Sequence, residues 1–200
     1  MKVVGMVALA NFPLWKMCME KLREQVDEIY VRVDVGKEHK LEELLDSKLA
    51  TKIMVSNVEW NRYNWRNELL EMIVNAKADI VLTPDQDEIF EDVIKEDLVK
   101  FYNSNKEIIM CDFFAPMPTD DGRIIPELNG KAYPSVPHCM GFKWKPEVTY
   151  FPYAGLCQPT NYANKENRFE AKALVKHYCM WTKELEEEKK QWVKNEYGIF

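Results

Sequence analysis

Apolar and polar positions in the first half of the chain predict short buried strands separated by amphipathic helices. Residues 3–10 form a nearly continuous apolar run, typical of a strand buried on both faces of a sheet. In residues 62–76, Leu69, Leu70, Ile73 and Ala76 have the spacing of an amphipathic helix. The predicted strands cover residues 3–10, 29–35, 51–58, 80–82, 107–115 and 171–180, and the predicted helices cover residues 14–25, 40–49 and 62–76, a segment ending at 98–103, and 182–197. This alternation predicts an α/β fold with a mainly parallel central sheet flanked by helices.

The second half of the chain follows a different pattern. Residues 116–159 contain most of the prolines and many aromatic side chains, so we expect an irregular region there. The aromatic side chains either build a core without regular elements or stack on a ligand. A chain of 200 residues is long enough for one domain, and we expect a single domain with this irregular region in its second part.

Composition narrows the class of protein. With 46% hydrophobic and 30% charged residues the chain is typical of a globular protein, and a net charge of -6 argues against a broad basic nucleic-acid-binding face. No apolar run reaches about 18 residues, so we expect no membrane span. The five cysteines are scattered and include no CxxC pair, which indicates neither a zinc site nor a disulfide framework. We therefore expect a cytoplasmic protein with reduced thiols.

The chemistry-bearing motif is Asp85-Gln86-Asp87-Glu88, directly after the apolar strand 80–82. In open parallel sheets, ligands bind beyond the carboxyl ends of the strands. Two carboxylates one residue apart can present oxygens to a hard divalent cation, Mn²⁺ or Mg²⁺, and such an ion neutralises a diphosphate leaving group. The alternative is structural, because Asp87 or Glu88 could cap the helix that follows.

The surroundings of this motif resemble the family-2-like glycosyltransferases, which have the GT-A fold. The similarity includes the pair Arg66-Asn67 at a helix start, the strand ending in the acidic motif, the segment 26–34, and Val175-Lys176-His177-Tyr178 near the end. It covers most of the first hundred residues and a patch near the C-terminus. Residues 116–169 match no part of the family pattern.

The resemblance implies a metal-dependent transfer of a sugar from a nucleotide-diphosphate sugar, with a UDP-sugar favoured. Residues 1–115 would then form the nucleotide-sugar-binding part, and residues 116–200 the acceptor part and a C-terminal helix. Asp34 would contact the nucleotide base, Arg66 and Asn67 would lie near the base or diphosphate, and Asp85 would approach the ribose or the metal. Without the resemblance, Asp34 would be interpreted as a solvated residue at a strand end, and Arg66 and Asn67 as ordinary polar residues in the first turn of a helix.

The resemblance also implies a metal shell of Asp85, Asp87 and His177, with Asp87 as the direct ligand of Mn²⁺ or Mg²⁺. A single histidine near a strand end also fits a purely structural role. The catalytic base is a separate question, because an inverting transferase needs a group near the acceptor hydroxyl to remove its proton. The acidic candidates downstream of the motif are Asp112, Asp120, Asp121 and Glu127, and none matches the family motif, so the inverting or retaining outcome stays open.

The acceptor stays open as well: a saccharide, a lipid-linked sugar, a protein or a modified nucleobase. A base within DNA would require flipping and nearby positive charge. The second half offers a set of basic residues for this: Lys143, Lys145, Lys165, Arg168, Lys172 and Lys176.

Two other functions share this architecture. A sugar-nucleotide nucleotidyltransferase tends to have a Gly-rich basic loop after the first strand, and residues 8–13 contain neither glycine nor lysine. A non-catalytic nucleotide-sugar-binding module is the other alternative, and the presence of both Asp85 and Asp87 argues against it.

Overall fold

The strands of the described residues form one nine-stranded sheet. The structure is a computed structural model that describes residues 1–9, 14–35, 38–57, 64–116, 130–132, 138–150, 159 and 165–178. The strands are β1 (Val3–Leu9), β2 (Glu28–Asp34), β3 (Lys52–Ser56), β4 (Ile80–Leu82), β5 (Glu88–Phe90), β6 (Ile108–Pro116), β7 (Gly130–Ala132), β8 (His138–Lys143) and β9 (Arg168–His177). The helices are α1 (Trp15–Gln25), α2 (Glu38–Ser47), α3 (Asn64–Ile73) and α4 (Ile94–Asn103), and a short 3-10 helix covers Lys165–Asn167.

The sheet is parallel in its first half and mixed in its second. Its strand order is β3-β2-β1-β4-β8-β6-β9-β5, with β7 added beside β6. β3, β2, β1 and β4 run parallel, β8 is antiparallel to both β4 and β6, and β9 is parallel to β6. The chain leaves β1 for β2 on one side and later returns to β4 on the other. This reversal creates the switch point at which open α/β sheets bind ligands.

Helices cover both faces of the sheet. The side chains of α1 and α4 and Leu44 of α2 pack against one face, and those of α3 pack against the other. β1 lies between these layers, which explains why its residues are nearly all apolar and buried. Among the residues that the structure describes, no helix combines the length and the apolar composition that crossing a membrane requires.

The centre of the sheet depends on one glycine. Gly141 of β8 pairs with Leu82 of β4, and a Cβ atom at this position would lie 2.5 Å from the carbonyl oxygen of Val81. A backbone atom cannot yield as a flexible side chain can, so β8 fits against the end of β4 only without a side chain here.

The predicted α/β fold agrees with the structure, with three differences. The sheet has more antiparallel pairing than we predicted, because β5, β7 and β8 were not recognised as strands. β8 also lies inside the region predicted to be irregular. Helix ends are shifted by a few residues: α2 begins at Glu38 and α3 ends at Ile73. The predicted helix at 182–197 lies outside the described residues.

Candidate functional site

The acidic motif lies at the switch point, directly beyond the end of β4. Leu82 ends β4, and the backbone N–H of Thr83 donates a hydrogen bond of 2.9 Å to the carbonyl of Met140 in β8. The chain therefore leaves the sheet next to β8 and enters the motif. This is where the sequence predicted the acidic residues to lie, at the carboxyl ends of the parallel strands.

Asp85 and Glu88 close a tight turn through two hydrogen bonds. The backbone N–H of Glu88 donates to the carbonyl of Asp85 at 3.2 Å, and the backbone N–H of Asp85 donates to Glu88 Oε2 at 2.7 Å. Glu88 then begins β5 and pairs with His177 of β9. The next helix, α4, begins only at Ile94, so Glu88 shapes the turn and does not cap that helix.

The β5–β9 pairing brings Asp87 and His177 together from positions 90 residues apart in the chain. The backbone N–H of Tyr178 donates to the carbonyl of Asp87 at 2.8 Å, and His177 Nε2 lies 3.2 Å from Asp87 Oδ2. Each side chain is 18% exposed, so both can be reached from solvent. Two of the three residues predicted for the metal shell are therefore adjacent.

This separation suits two ligands of one cation. An octahedral ion with metal–ligand distances of about 2.1 Å holds adjacent ligands about 3.0 Å apart. Within the described part of the chain, no group of three or more His, Cys, Asp or Glu residues is arranged to hold a metal. A cation held by Asp87 and His177 would need further ligands, and Mg²⁺ bound to phosphates takes most of its ligands from the phosphates and water.

Arg66 places a positive charge beside the motif. Its Nη2 lies 3.5 Å from Asp85 Oδ1, and its guanidinium lies over the Trp65 ring at 4.0 Å and 5.7 Å from the centre of the Tyr150 ring. Arg66 is buried whereas Asp85 is exposed. The aromatic contacts hold the flat guanidinium in one orientation, which is an arrangement suited to phosphate recognition.

Asn67 is held by the backbone of Tyr150. Its Nδ2 donates to the Tyr150 carbonyl at 2.9 Å, and the Tyr150 N–H donates to Asn67 Oδ1 at 2.9 Å. These bonds join α3 to the segment after β8 and thereby fix the ring that Arg66 faces. The contacts observed for Asn67 are thus structural, while its predicted role near the donor stays a prediction.

Asp34, the predicted base contact, is ion-paired at the end of β2. Its carboxylate pairs with Arg32, which is 1% exposed and also donates from Nε to Glu68 Oε2 at 2.6 Å. Ser56 Oγ donates to the other oxygen of Glu68 at 2.7 Å. Arg32 and Glu68 were not among the predicted site residues, although an arginine inside an otherwise apolar strand is a visible signal.

The structure describes one of the acidic base candidates. Asp112 is exposed on β6, next to Phe113, and Asp120, Asp121 and Glu127 lie outside the described residues. His138, the first residue of β8, was not predicted, because nothing in its local sequence marks the start of a strand. Its ring stacks on Phe113 with centroids 4.2 Å apart.

The basic residues of the second half are mostly far from the motif. Lys143 ends β8, Lys145 follows it and pairs with Glu107, and Arg168 begins β9. Lys143, Lys145 and Arg168 all lie at the sheet edge opposite the acidic motif. β8 runs antiparallel to β4, so its last residue is far from the motif, and β9 reaches the motif with its last residues, not its first. Lys176 is near the motif by register, where it pairs with Ile89. The expected positive surface around the site is therefore not formed by Lys143, Lys145 and Arg168.

Burial and charge give Glu88 an unusual acidity. Burial, together with the Asp85 and Asp87 carboxylates, raises the pKa of Glu88 to about 8 against the opposing effects of His177 and of the Asp85 N–H bond. The carboxyl of Glu88 therefore keeps its proton near neutral pH in the folded protein, with one oxygen accepting the Asp85 N–H bond.

We expect this proton to make stability depend on pH. The folded-state pKa of Glu88 lies above the unfolded value near 4.5, so the folded protein binds the extra proton and loses stability as pH rises from about 5 to 8. The slope contributed by Glu88 is at most about 1.4 kcal/mol per pH unit. Glu88→Gln keeps the acceptor for Asp85 and should remove this contribution, as measured by urea unfolding of both proteins in EDTA between pH 5 and 8.

The lowered pKa of His138 acts in the opposite direction below about pH 6.5, and it is present in both proteins, so the difference between them isolates Glu88. Equal pH slopes for the wild type and Glu88→Gln would contradict the prediction.

Comparisons with known proteins identify the fold. No family model matches the sequence, and no curated protein matches it. The structure is similar to HddC from Yersinia pseudotuberculosis, with a TM-score of 0.56, 11% sequence identity, and coverage of 97% of this chain and 100% of that chain. A TarS fragment from S. aureus, solved in complex with UDP-GlcNAc, has a TM-score of 0.40 and 21% identity over 63% of this chain and 37% of that chain. The chain therefore has the predicted GT-A-like α/β fold.

Proposed function

We propose that the protein is a metal-dependent glycosyltransferase that moves a sugar from a nucleotide-diphosphate sugar to an acceptor. The observation that carries the proposal is the Asp87–His177 pair, with 3.2 Å between Nε2 and Oδ2, at the switch point of an open α/β sheet. A short strand pairing brings these two ligand types together, and Asp85 and Arg66 lie beside them. Such an edge combines a cation site with a fixed positive charge.

Asp87 and His177 would hold Mn²⁺ or Mg²⁺, with Asp85 beside them in the same turn. The ion would supply charge neutralisation for the diphosphate that leaves when the sugar is transferred. Carboxylate oxygen suits both ions, whereas an imidazole ligand favours Mn²⁺, a transition metal, over the hard Mg²⁺. In this proposal His177 is a ligand through the same Nε2 that now faces Asp87.

Arg66 and Asp34 would bind the rest of the donor. The guanidinium of Arg66, oriented by Trp65 and Tyr150, faces the same space as Asp85 and can donate to phosphate oxygens. Asp34 lies at the end of β2, and only β1 separates β2 from β4 in the sheet. Asp34 is therefore at the same edge of the sheet as the acidic motif. A donor lying across β2, β1 and β4 would place its base near Asp34 and its diphosphate near Arg66.

A nucleotidyltransferase is the second candidate. HddC, whose fold matches nearly the whole of this chain, was solved in complex with GMP-PN. A protein of this fold can therefore bind a nucleotide. This does not distinguish cleavage of the sugar–diphosphate bond from cleavage of a bond within a triphosphate. The two candidates differ in their products: a glycosyltransferase releases a nucleoside diphosphate from a sugar nucleotide, whereas a nucleotidyltransferase releases pyrophosphate from a nucleoside triphosphate.

The test is a panel of nucleotide-diphosphate sugars, each added with Mn²⁺, Mg²⁺ or EDTA. We expect a UDP-sugar to stabilise the protein only when metal is present, by about 2.7 kcal/mol at a donor concentration 100 times its Kd. Slow release of UDP should accompany this stabilisation. The proposal fails if no sugar nucleotide stabilises the protein in any metal, and pyrophosphate release from a nucleoside triphosphate would favour the second candidate.

A further inference from the structure

Three rings form a row across neighbouring strands at the edge of the sheet that carries the acidic motif. His138 of β8 stacks on Phe113 of β6 with centroids 4.2 Å apart, and Phe113 lies 5.4 Å from the His177 ring of β9. β8, β6 and β9 are adjacent in the sheet, so the three side chains share one face. We call His138, Phe113 and His177 the ring row. At its β9 end, His177 meets Asp87.

His138 forms the other end of the ring row. His138 is the first residue of β8, and three residues later Gly141 pairs with Leu82, the last residue of β4. His138 therefore lies beyond the end of β4, on the same side as the acidic motif. It is exposed, whereas Asp87 and His177 are each 18% exposed. An incoming molecule can reach its imidazole while a donor occupies the Asp87–His177 end.

The charges around His138 support this placement. Burial against the protein and the neighbouring His177 lower the pKa of His138, and Asp85 opposes them. Its imidazole therefore lies within electrostatic range of both His177 and Asp85 at the acidic motif. A neutral imidazole has one nitrogen free to accept a proton, which is the form that a general base requires.

We propose that His138 is the catalytic base of the transfer, accepting the proton of the attacking acceptor hydroxyl. This inference rests on the proposed function. In the step, the acceptor oxygen forms a bond to the anomeric carbon while the bond from that carbon to the diphosphate oxygen breaks. The electron pair of the broken bond leaves with the nucleoside diphosphate, and the hydroxyl proton moves to the ring nitrogen of His138.

The geometry favours His138 over Asp112, the acidic candidate that the structure describes. Side chains alternate along a strand, so Asp112 lies on the opposite face of β6 from Phe113 and the ring row. Asp87 and His177 lie on the face of the ring row. Asp112 lies on the α3 side of the sheet, as Arg66 does, whereas the Asp87–His177 pair that would hold the cation lies at the end of the ring row. That cation would fix the diphosphate bonded to the anomeric carbon, so His138, on the same face as the pair, is the better placed of the two to reach the acceptor hydroxyl.

The experiment uses water as the acceptor, so it requires no knowledge of the natural one. The wild type, His138→Ala and Asp112→Asn are incubated with Mn²⁺ and the sugar nucleotide that stabilises the wild type, and release of the nucleoside diphosphate is followed. His138→Ala should hydrolyse the donor about 10²- to 10⁴-fold more slowly, the range of general-base contributions. Thermal stabilisation by donor and Mn²⁺ should be unchanged, because His138 holds neither.

Added imidazole gives a second measurement that a structural role would not change. Imidazole should raise the rate of His138→Ala and leave the wild type and Asp87→Asn unchanged. If His138→Ala hydrolyses the donor at the wild-type rate, the assignment is overturned while the proposed function stays intact. A slow Asp112→Asn in the same experiment would move the assignment to Asp112. Loss of donor stabilisation in His138→Ala would also overturn it, by making His138 a binding residue. Absence of donor binding in the wild type would overturn both.

Discussion

Replacing Asp87 with asparagine is expected to remove about half or more of the metal-dependent stabilisation of the protein by its donor. Asparagine keeps the size of the side chain but removes the charge that pairs with a divalent cation, and His177 alone then faces the ion. Losing a protein ligand should cost at least the 10- to 100-fold in metal affinity that changes around metal ligands typically cause. At a donor concentration that stabilises the wild type by about 2.7 kcal/mol, the variant should gain about 1.4 kcal/mol for a 10-fold loss of affinity and about 0.4 kcal/mol for a 100-fold loss.

The measurement is thermal unfolding with and without donor, repeated in Mn²⁺ and in EDTA. The matched control is Asp92→Asn, which makes the same charge change at an exposed position just beyond the other end of β5. The control should bind the donor as the wild type does. If Asp87→Asn keeps the full metal-dependent stabilisation, the Asp87–His177 pair is an ion pair of the fold and the metal must lie elsewhere.

The same substitution also separates two interpretations of the 3.2 Å contact. A structural ion pair between Asp87 and a protonated His177 would stabilise the protein without any ligand. Asp87→Asn would then unfold at a lower temperature in EDTA. If Asp87 and His177 are instead ligands of a cation, the unfolding temperature of Asp87→Asn should change little in EDTA. It should fall well below that of the wild type only when Mn²⁺ and donor are present.

The parallel half of the fold could be predicted because its information is local. Each strand from β1 to β4 is an apolar run, each helix between them has its own periodicity, and the rule that ligands bind beyond strand ends then places Asp85 and Asp87. These inferences need no knowledge of which distant segments meet. They were correct for the position of the acidic motif at the sheet edge.

The mixed half depends on pairings between distant segments, and the sequence pattern does not encode them visibly. β5 has three residues and β8 contains a glycine, so neither forms a run long enough to be recognised. The row from His138 to His177 exists only because β8, β6 and β9 are neighbours. His177 itself was predicted from the resemblance of residues 175–178 to a family element, and its 3.2 Å approach to Asp87 required the structure.

Arg32 shows a second limit of prediction from sequence. A charged residue in a buried strand is visible in the apolar pattern, but the pattern does not indicate which groups the residue pairs with. In the structure it meets two carboxylates, Asp34 on its own strand and Glu68 on α3, and Ser56 completes the group. Its nearly complete burial makes the pairing a requirement, since a buried guanidinium without partners would be very costly.

Arg32→Met is therefore expected to produce the largest loss of stability of any single substitution considered. Methionine fills much of the same volume but removes the cation that Asp34 and Glu68 share in the described part of the chain. Breaking a buried ion pair from one side typically costs about 3–5 kcal/mol, and the partial exposure of both carboxylates places the expected value near about 3 kcal/mol. The free energy of unfolding in urea measures it, with Lys21→Met as a control because Lys21 forms only an exposed pair with Glu24.

The double variant Arg32→Met/Glu68→Met separates the cost of the unpaired carboxylate from the worth of the ion pair. Removing the second charge should recover part of the lost stability, because two apolar side chains can replace a buried pair at little cost. A double variant less stable than Arg32→Met would instead show that Glu68 stabilises α3 mainly through Ser56. Arg32→Met as stable as the wild type would contradict the buried network itself. Asp34 is one end of that network, so Arg32→Met should also affect the donor. Without Arg32, Asp34 loses its fixed position, and the affinity for the sugar nucleotide should fall together with the stability of the protein.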